Sequence, residues 1–416
     1  MELEKGIMEV ALSDIQKARE KIKNTIRRTE VVRSSLLSDE FKADIWLKLE
    51  NTQHTGSFKL RGAFNKISTL TESEKARGVV ASSAGNHAQG VAFSAKQAGV
   101  KCTIVMPENA PLIKVESTRA HGAQVVLHGE IYDEAFDKAK EIEREQGSIF
   151  VHPYQDPLII AGQGTMGLEL FEDIPQLATV IVPIGGGGLI SGIAVALKSL
   201  NPKIRIIGVQ SEQVDTMYRM FRGEKVQSST RVPTIADGIA VKRASPIMFE
   251  SFIKKYVDEI VTVNDDEIAE AIVNLLERQK TVAEGAGAAA LAALLARKAH
   301  PQGPTAIVIG GGNIDLNIIE KVIERGLVRK GRLVEMSVIV DDLPGNLAKL
   351  TQILAANRAN ILEVHHDRVS MGLDLRQTKI DFVLETTNRE HVERIRNAFR
   401  QAGARLSIVG ADASHI

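Results

Sequence analysis

The chain has little that would support a disulfide scaffold, an aromatic-rich surface or a membrane span. Of its 416 residues one is cysteine and one is tryptophan, and Phe, Trp and Tyr together make up 4%. The lone Cys102 cannot close an internal disulfide, and its setting in "KCTIVMP" reads as a buried strand, so it is expected to be a small core residue. Net charge is absent as well. Lys and Arg number 52 against 52 Asp and Glu, which leaves no field to recruit nucleic acid or an anionic membrane, and neither is expected as a partner. No apolar run approaches the roughly 18 residues of a membrane span, and the opening "MELEKGIMEVALSDIQKAREK" has no signal-peptide core. A soluble, cytoplasmic protein that acts on small ligands is expected.

What the chain does contain is a repeated alternation. From about residue 45 to 330, short β-branched runs ("IWLKLE", "GVVASS", "CTIVMP", "AQVVLH", "SIFVHP", "TVIVPI", "RIIGVQ", "AIVIGG") are separated by stretches of helical period such as "YDEAFDKAKEIEREQG". This predicts a doubly wound α/β architecture with parallel strands, whose ligands bind at the carboxyl ends. Near residue 330 the texture changes in "RGLVRKGRLVEMSVIVDD", and a domain boundary is placed there. The remainder reads strand, helix, strand, strand, helix, strand, a βαββαβ ferredoxin-like module over 331–416.

Three glycine-rich turns follow predicted strands: "SSAGNHAQG", "PIGGGGLISG" and "GGGNID". Without Cβ atoms, the N–H groups of Gly185, Gly186, Gly187 and Gly188 can converge on an anion where the next helix begins, which predicts a phosphate cradle. Neither a Walker motif nor a dinucleotide fingerprint is present. A lysine ahead of a helix in "TGSFKLRGAFNK", Lys59, together with a separate phosphate cradle, suggests an aldehyde cofactor held as an imine, as pyridoxal phosphate is.

The motifs "TGSFKLRGAFNK", "SSAGNHAQGVA", "PIGGGGLISG", "EGAGAAALAAL" and "GGGNID" resemble, in order and spacing, those of the fold-type II pyridoxal phosphate enzymes, and within them the threonine ammonia-lyases, or threonine dehydratases. The resemblance covers about residues 10–330. It implies two doubly wound parallel-sheet domains of the tryptophan synthase β-like kind, the smaller (about 54–150) inserted in the larger, within a catalytic region 1–330. The terminal module, with "VDDLPGNLAKLTQIL", resembles an ACT-type regulatory domain.

The same resemblance implies that Lys59 is the Schiff-base lysine and general base, with Phe58 beside the cofactor ring and Asn86 on its 3-oxygen. Gly185 to Gly188 and Leu189 become the phosphate loop. Ser83, Ala84, Gly85, Asn86 and His87 would hold the substrate carboxylate on backbone N–H groups at a helix start. Two readings stand for Glu284: a carboxylate near cofactor and substrate, or a helix N-terminal acid stabilised by the dipole. The reaction implied is deaminating dehydration of L-threonine to 2-oxobutanoate, and of L-serine to pyruvate. An amino-acid effector such as isoleucine or valine is expected near Leu343, Pro344, Gly345 and Asn346 and near Asn360 and Ile361, in a homodimer or homotetramer.

Three positions depart from the pattern of the family or of its serine racemase members. Gly310 stands where a Ser or Cys usually faces the pyridine nitrogen, so water or backbone serves that atom, or the register differs by one residue. Ala84 stands where serine racemases carry an acid/base serine, which favours elimination, and Gln210 stands where they offer a metal-binding Glu, so no metal is expected. The alternatives are a serine or threonine racemase, a 3-hydroxyaspartate dehydratase, a β-replacement enzyme of the cysteine synthase type, and an amino-acid sensor without strong catalysis.

Overall fold

Runs such as TVIVP and TAIVI are apolar at nearly every position, a pattern that suits a strand covered on both faces and therefore parallel pairing between helical layers. In the computed structural model, which describes residues 7–226, 233–369 and 373–409, both runs are strands buried along their whole length. The chain divides into two compact units, residues 1–315 and 316–416.

The strands of the first unit, in chain order, are β1 (Val31–Arg33), β2 (Ile45–Leu49), β3 (Val79–Ser82), β4 (Cys102–Met106), β5 (Gln124–Leu127), β6 (Ile149–Phe150), β7 (Thr179–Pro183), β8 (Arg205–Ser211), β9 (Glu259–Val263) and β10 (Thr305–Ile309). One sheet has the order β1-β2-β10-β7-β8-β9 and the other β5-β4-β3-β6. Pairing is parallel throughout except for β1, which runs antiparallel to β2. All eight strands expected from the sequence are present. The additions, β1 and β9, are the edges of the larger sheet.

This order positions the site. β2, β10 and β7 are neighbours, so the turns beyond their carboxyl ends, which carry Lys59, Gly310 and the glycine cradle, emerge side by side. The helix Pro157–Asp173 ties two of these together, because it lies between the Lys59 helix (Lys59–Ile67) and the cradle helix (Gly188–Leu200). Glycines permit the close approach: a Cβ on Gly162 would fall 2.6 Å from Gly62 Cα, and one on Gly192 would fall 2.5 Å from Gly164 N.

The second unit opens with the helix Leu316–Arg329 and continues as β11 (Leu333–Asp341), the helix Asn346–Ala356, β12 (Asn360–Asp367), β13 (Gln377–Glu385), the helix Arg389–Gln401 and β14 (Arg405–Val409). Its antiparallel sheet has the order β12-β13-β11-β14, the ferredoxin-like arrangement, over a core that includes Met336, Phe382, Leu384 and Phe399. The compact units divide at 315/316, whereas the sequence places a boundary near 330. The helix before it is held to this unit at its end, where Arg329 O accepts hydrogen bonds from the Arg389 guanidinium at 3.1 and 3.3 Å.

Candidate active site

Lys59 opens its helix, and its Nζ donates to Pro153 O at 3.1 Å and lies 5.4 Å from the centre of the Phe58 ring. The side chain is half-buried, yet the surrounding protein withdraws enough water to push its pKa from 10.5 down to about 8, against the pull of Glu284. Roughly a tenth of the amine is therefore uncharged at pH 7, far more than at a pKa of 10.5, and the uncharged form is the nucleophile.

Pro153 belongs to a segment, 151–155, that the sequence suggested only as the end of a strand and that touches Lys59, His87 and the glycine cradle. His87 Nε2 bonds to Val151 O at 2.8 Å, and His152 Nδ1 accepts from Tyr154 N and Gln155 N at 3.2 and 2.8 Å. Burial pushes the His87 pKa down to about 3 and that of His152 to about 4, so both imidazoles are neutral. Tyr154 lies against the cradle: a Cβ on Gly186 would fall 2.3 Å from Tyr154 Cδ1, and one on Gly188 2.9 Å from Tyr154 Cβ. Gly187 has φ +92°, a left-handed conformation that favours glycine and turns the loop into the helix beginning at Gly188. With Leu189 in its first turn, that helix presents N–H groups without intrahelical partners.

The third turn brings Asn86 and Glu284 together. The helix Asn86–Ala98 follows β3 and begins with Gly85 at its N-cap, where an added Cβ would meet open space. The N–H groups of Asn86 and His87 thus stand in the first turn, next to Ser83 and Ala84, while the imidazole of His87 points away to Val151. Asn86 Nδ2 donates to Glu284 Oε1 at 2.6 Å, and Asn86 Oδ1 accepts from Asn313 Nδ2 at 2.7 Å. Asn313, which the sequence reading passed over, also donates to Thr55 O at 2.8 Å.

Glu284 occupies the N-cap position of the helix Gly285–Leu295 but makes no side-chain capping bond. Its carboxyl is turned to Asn86 instead, and burial, with the charge of Asp237, pushes its pKa from 4.5 up to about 8. Its N-cap position accords with the helix N-terminal reading, and its bond to Asn86 accords with the reading of a carboxylate beside the site. Lys114 Nζ lies 3.1 Å from Asp237 Oδ2 and 3.9 Å from Asp315 Oδ2. Burial opposes the Lys114 charge, but Asp237, Asp315 and Glu284 together outweigh it and raise the pKa.

Gly310 O accepts from Phe58 N at 3.1 Å, and Ser57 bridges Gly311. A Cβ on Gly310 would meet the Phe58 ring at 3.5 Å, ordinary contact, so packing does not demand glycine there. Gln210 is buried, accepting from Tyr218 N at 2.8 Å. These residues fit pyridoxal phosphate, with an amine of lowered pKa for its aldehyde and, linked to it through Pro153 and Tyr154, a glycine cradle with free N–H groups for its phosphate.

The positions expected to bind an effector are not brought together within one chain. Leu343 to Asn346 follow Asp341 at one end of β11, whereas Asn360 pairs with Glu385, which also pairs with Leu333 at the other end. Eight strand steps, about 27 Å, separate these ends, because the helix Asn346–Ala356 carries the chain back before β12 starts. The Leu343 and Asn346 N–H groups are also engaged, with Asp341 O at 2.9 Å and Leu343 O at 3.2 Å. Pro344, Gly345 and Ile361 remain in the two separated groups.

Residues 22–311 match the family model described as pyridoxal-phosphate dependent enzyme. An L-threonine ammonia-lyase of Thermotoga maritima is 50% identical over 401 residues, 96% of this chain and all of that protein. Among solved structures, maize serine racemase (TM-score 0.72, 33% identity) covers 77% of this chain and 99% of its own. The processed form of threonine deaminase isoform 2 from Solanum lycopersicum (TM-score 0.71, 34% identity) covers 76% and 86%.

Proposed function

We propose, for a chain that belongs to the pyridoxal-phosphate dependent enzymes, that it is an L-threonine ammonia-lyase, converting L-threonine to 2-oxobutanoate and ammonium and L-serine to pyruvate and ammonium. The observation that carries this reading is identity of 50% along nearly the whole chain with an enzyme so named. Pyridoxal phosphate, when bound, supplies the electron sink that acidifies the α-proton of the amino acid.

The chain's own residues would do the rest. Gly185 to Gly188 and Leu189 hold the phosphate on backbone N–H groups, and Phe58 flanks the ring. The first-turn N–H groups of Asn86 and His87, with the Ser83–Gly85 loop, hold the substrate carboxylate. Lys59, with a pKa of about 8, takes the α-proton as a free amine. The β-hydroxyl then leaves with a proton as water, and one water is taken up again as the released enamine hydrolyses to the oxoacid and ammonium. Asn313 and Glu284 keep the Asn86 amide fixed in direction.

The racemase reading draws on the comparably similar maize structure. Racemisation needs a proton carrier on the face opposite Lys59, and Ala84 offers none at the position where the family resemblance expects it. Incubation with L-threonine and L-serine, followed by oxoacid measurement and chiral analysis of the remaining amino acid, distinguishes the two. Oxoacid with little D-serine is expected; D-serine without oxoacid overturns the lyase reading.

For the second unit we propose an ACT-type regulatory role with a branched-chain amino acid as effector. Since Leu343–Asn346 and Asn360–Ile361 lie at opposite ends of one sheet, a complete site would draw one group from each of two copies in a homo-oligomer. A chain ending after residue 315 that kept the full response to isoleucine or valine would contradict this. A cytoplasmic location is proposed too; among the described residues no helix is long and apolar enough to cross a membrane.

A further inference from the structure

Directly behind Lys59 lies a cluster of four buried charges that the mechanism leaves unused. Arg61 donates to Glu50 at 2.7 and 2.9 Å, to Glu169 at 2.7 and 2.9 Å, and to Thr165 Oγ1 at 3.1 Å. Lys48 completes the set, donating to Glu169 and, at 2.7 Å, to Thr29 O, while Thr29 donates to Glu50. Arg61 is 1% exposed, Lys48 and Glu50 0%, and Glu169 6%. Two cations and two anions cancel, so no net charge is buried.

Such a cluster is a poor source of stability, since apolar residues of similar volume commonly do as well. Its geometry is more telling. Glu50 ends the strand region before the loop that carries Lys59, and Arg61 lies 11 residues later on the Lys59 helix, so their pairing closes that loop at its base. Glu169 then fastens the closed loop to the helix Pro157–Asp173, which also packs on the cradle helix. The Lys59 helix has no side-chain cap; Phe58 stands at its N-cap position and makes no capping bond. The planar guanidinium, unlike an ammonium, fixes direction as well as charge.

We propose that Arg61 is a positioning residue that sets where the Lys59 amine stands relative to the phosphate cradle, by clamping the 50–61 loop onto the helix Pro157–Asp173. The inference rests on the reading of Lys59 as the cofactor-bearing amine.

The test uses the full-length holoenzyme and Arg61→Lys, which keeps the charge and loses the fork. Displacing a reacting group by about 1 Å costs on the order of 10²-fold in rate. Turnover is expected to fall roughly 10- to 100-fold, with cofactor still bound and with the visible absorbance of the bound cofactor, and the pH at which it changes, displaced. Lys48→Met breaks the same cluster on the side away from the Lys59 helix. It should lower the melting temperature while leaving kcat and the absorbance as in the parent. Parental kcat and spectrum in Arg61→Lys, whatever its melting temperature, would overturn the proposal, as would an equal kcat loss in Lys48→Met. Should Arg61→Lys not fold, Glu50→Gln is judged by the same kcat and absorbance criteria. A parent that deaminates threonine while Arg61→Lys matches it removes this inference alone; a parent without turnover removes the underlying reading.

Discussion

Glutamine at position 284 should free the cofactor-free protein from a pH dependence that its parent shows. Burial, with Asp237, carries the Glu284 pKa from 4.5 up to about 8, against the opposing pull of Asn86, Lys114 and Lys59. The folded state thus holds this proton more tightly than the unfolded state does. The stability it contributes is fully present below pH 4.5 and is lost as the pH rises towards about 8. A tenfold change in proton affinity is worth about 1.4 kcal/mol, so between about pH 5.5 and 8 this carboxyl withdraws at most about 3 kcal/mol. Lys59, lowered from 10.5 to about 8, acts with the opposite slope but mainly above that window. Urea unfolding of the apoprotein at both pH values measures the difference. The parent should lose about 3 kcal/mol more than Glu284→Gln over the interval; equal losses would show that the carboxyl is already ionised in the folded protein and refute the reasoning.

Two further substitutions probe the site and its surroundings. Gly186→Ala places a Cβ 2.3 Å from a Tyr154 ring carbon; pyridoxal phosphate affinity, followed by fluorescence quenching, should fall at least about tenfold, with partial recovery in Gly186→Ala/Tyr154→Ala. Lys114→Met removes a part-exposed ion pair with Asp237; urea unfolding should show a stability loss of about 0.5–1 kcal/mol with cofactor content unchanged, and a loss several times larger would contradict the pair's partial exposure.

Much of this was legible in the chain because the signals were local. Four glycines after TVIVP and a lysine ahead of a helix each mark their chemistry within a few residues, and the fully buried strands announce themselves as apolar runs. β1 and β9 were missed because they are short edge strands with half-exposed residues, which carry no such run. The Arg61 cluster was hidden for another reason. Lys48, Arg61 and Glu169 read as ordinary charges in mixed segments, and the partners that make their burial possible are 108 and 121 residues apart. The effector positions show the reverse: two groups close in sequence are carried to opposite ends of a sheet by the helix between them.

The central claim is that Lys59 is the amine that carries the cofactor. Borohydride reduction of the holoenzyme, followed by digestion and mass spectrometry, tests it most directly, alongside 2-oxobutanoate production from threonine by the unreduced enzyme. The account predicts a phosphopyridoxyl group on the peptide containing Lys59, with reduction abolishing turnover. The label on a different lysine, in a preparation that deaminates threonine, would contradict it.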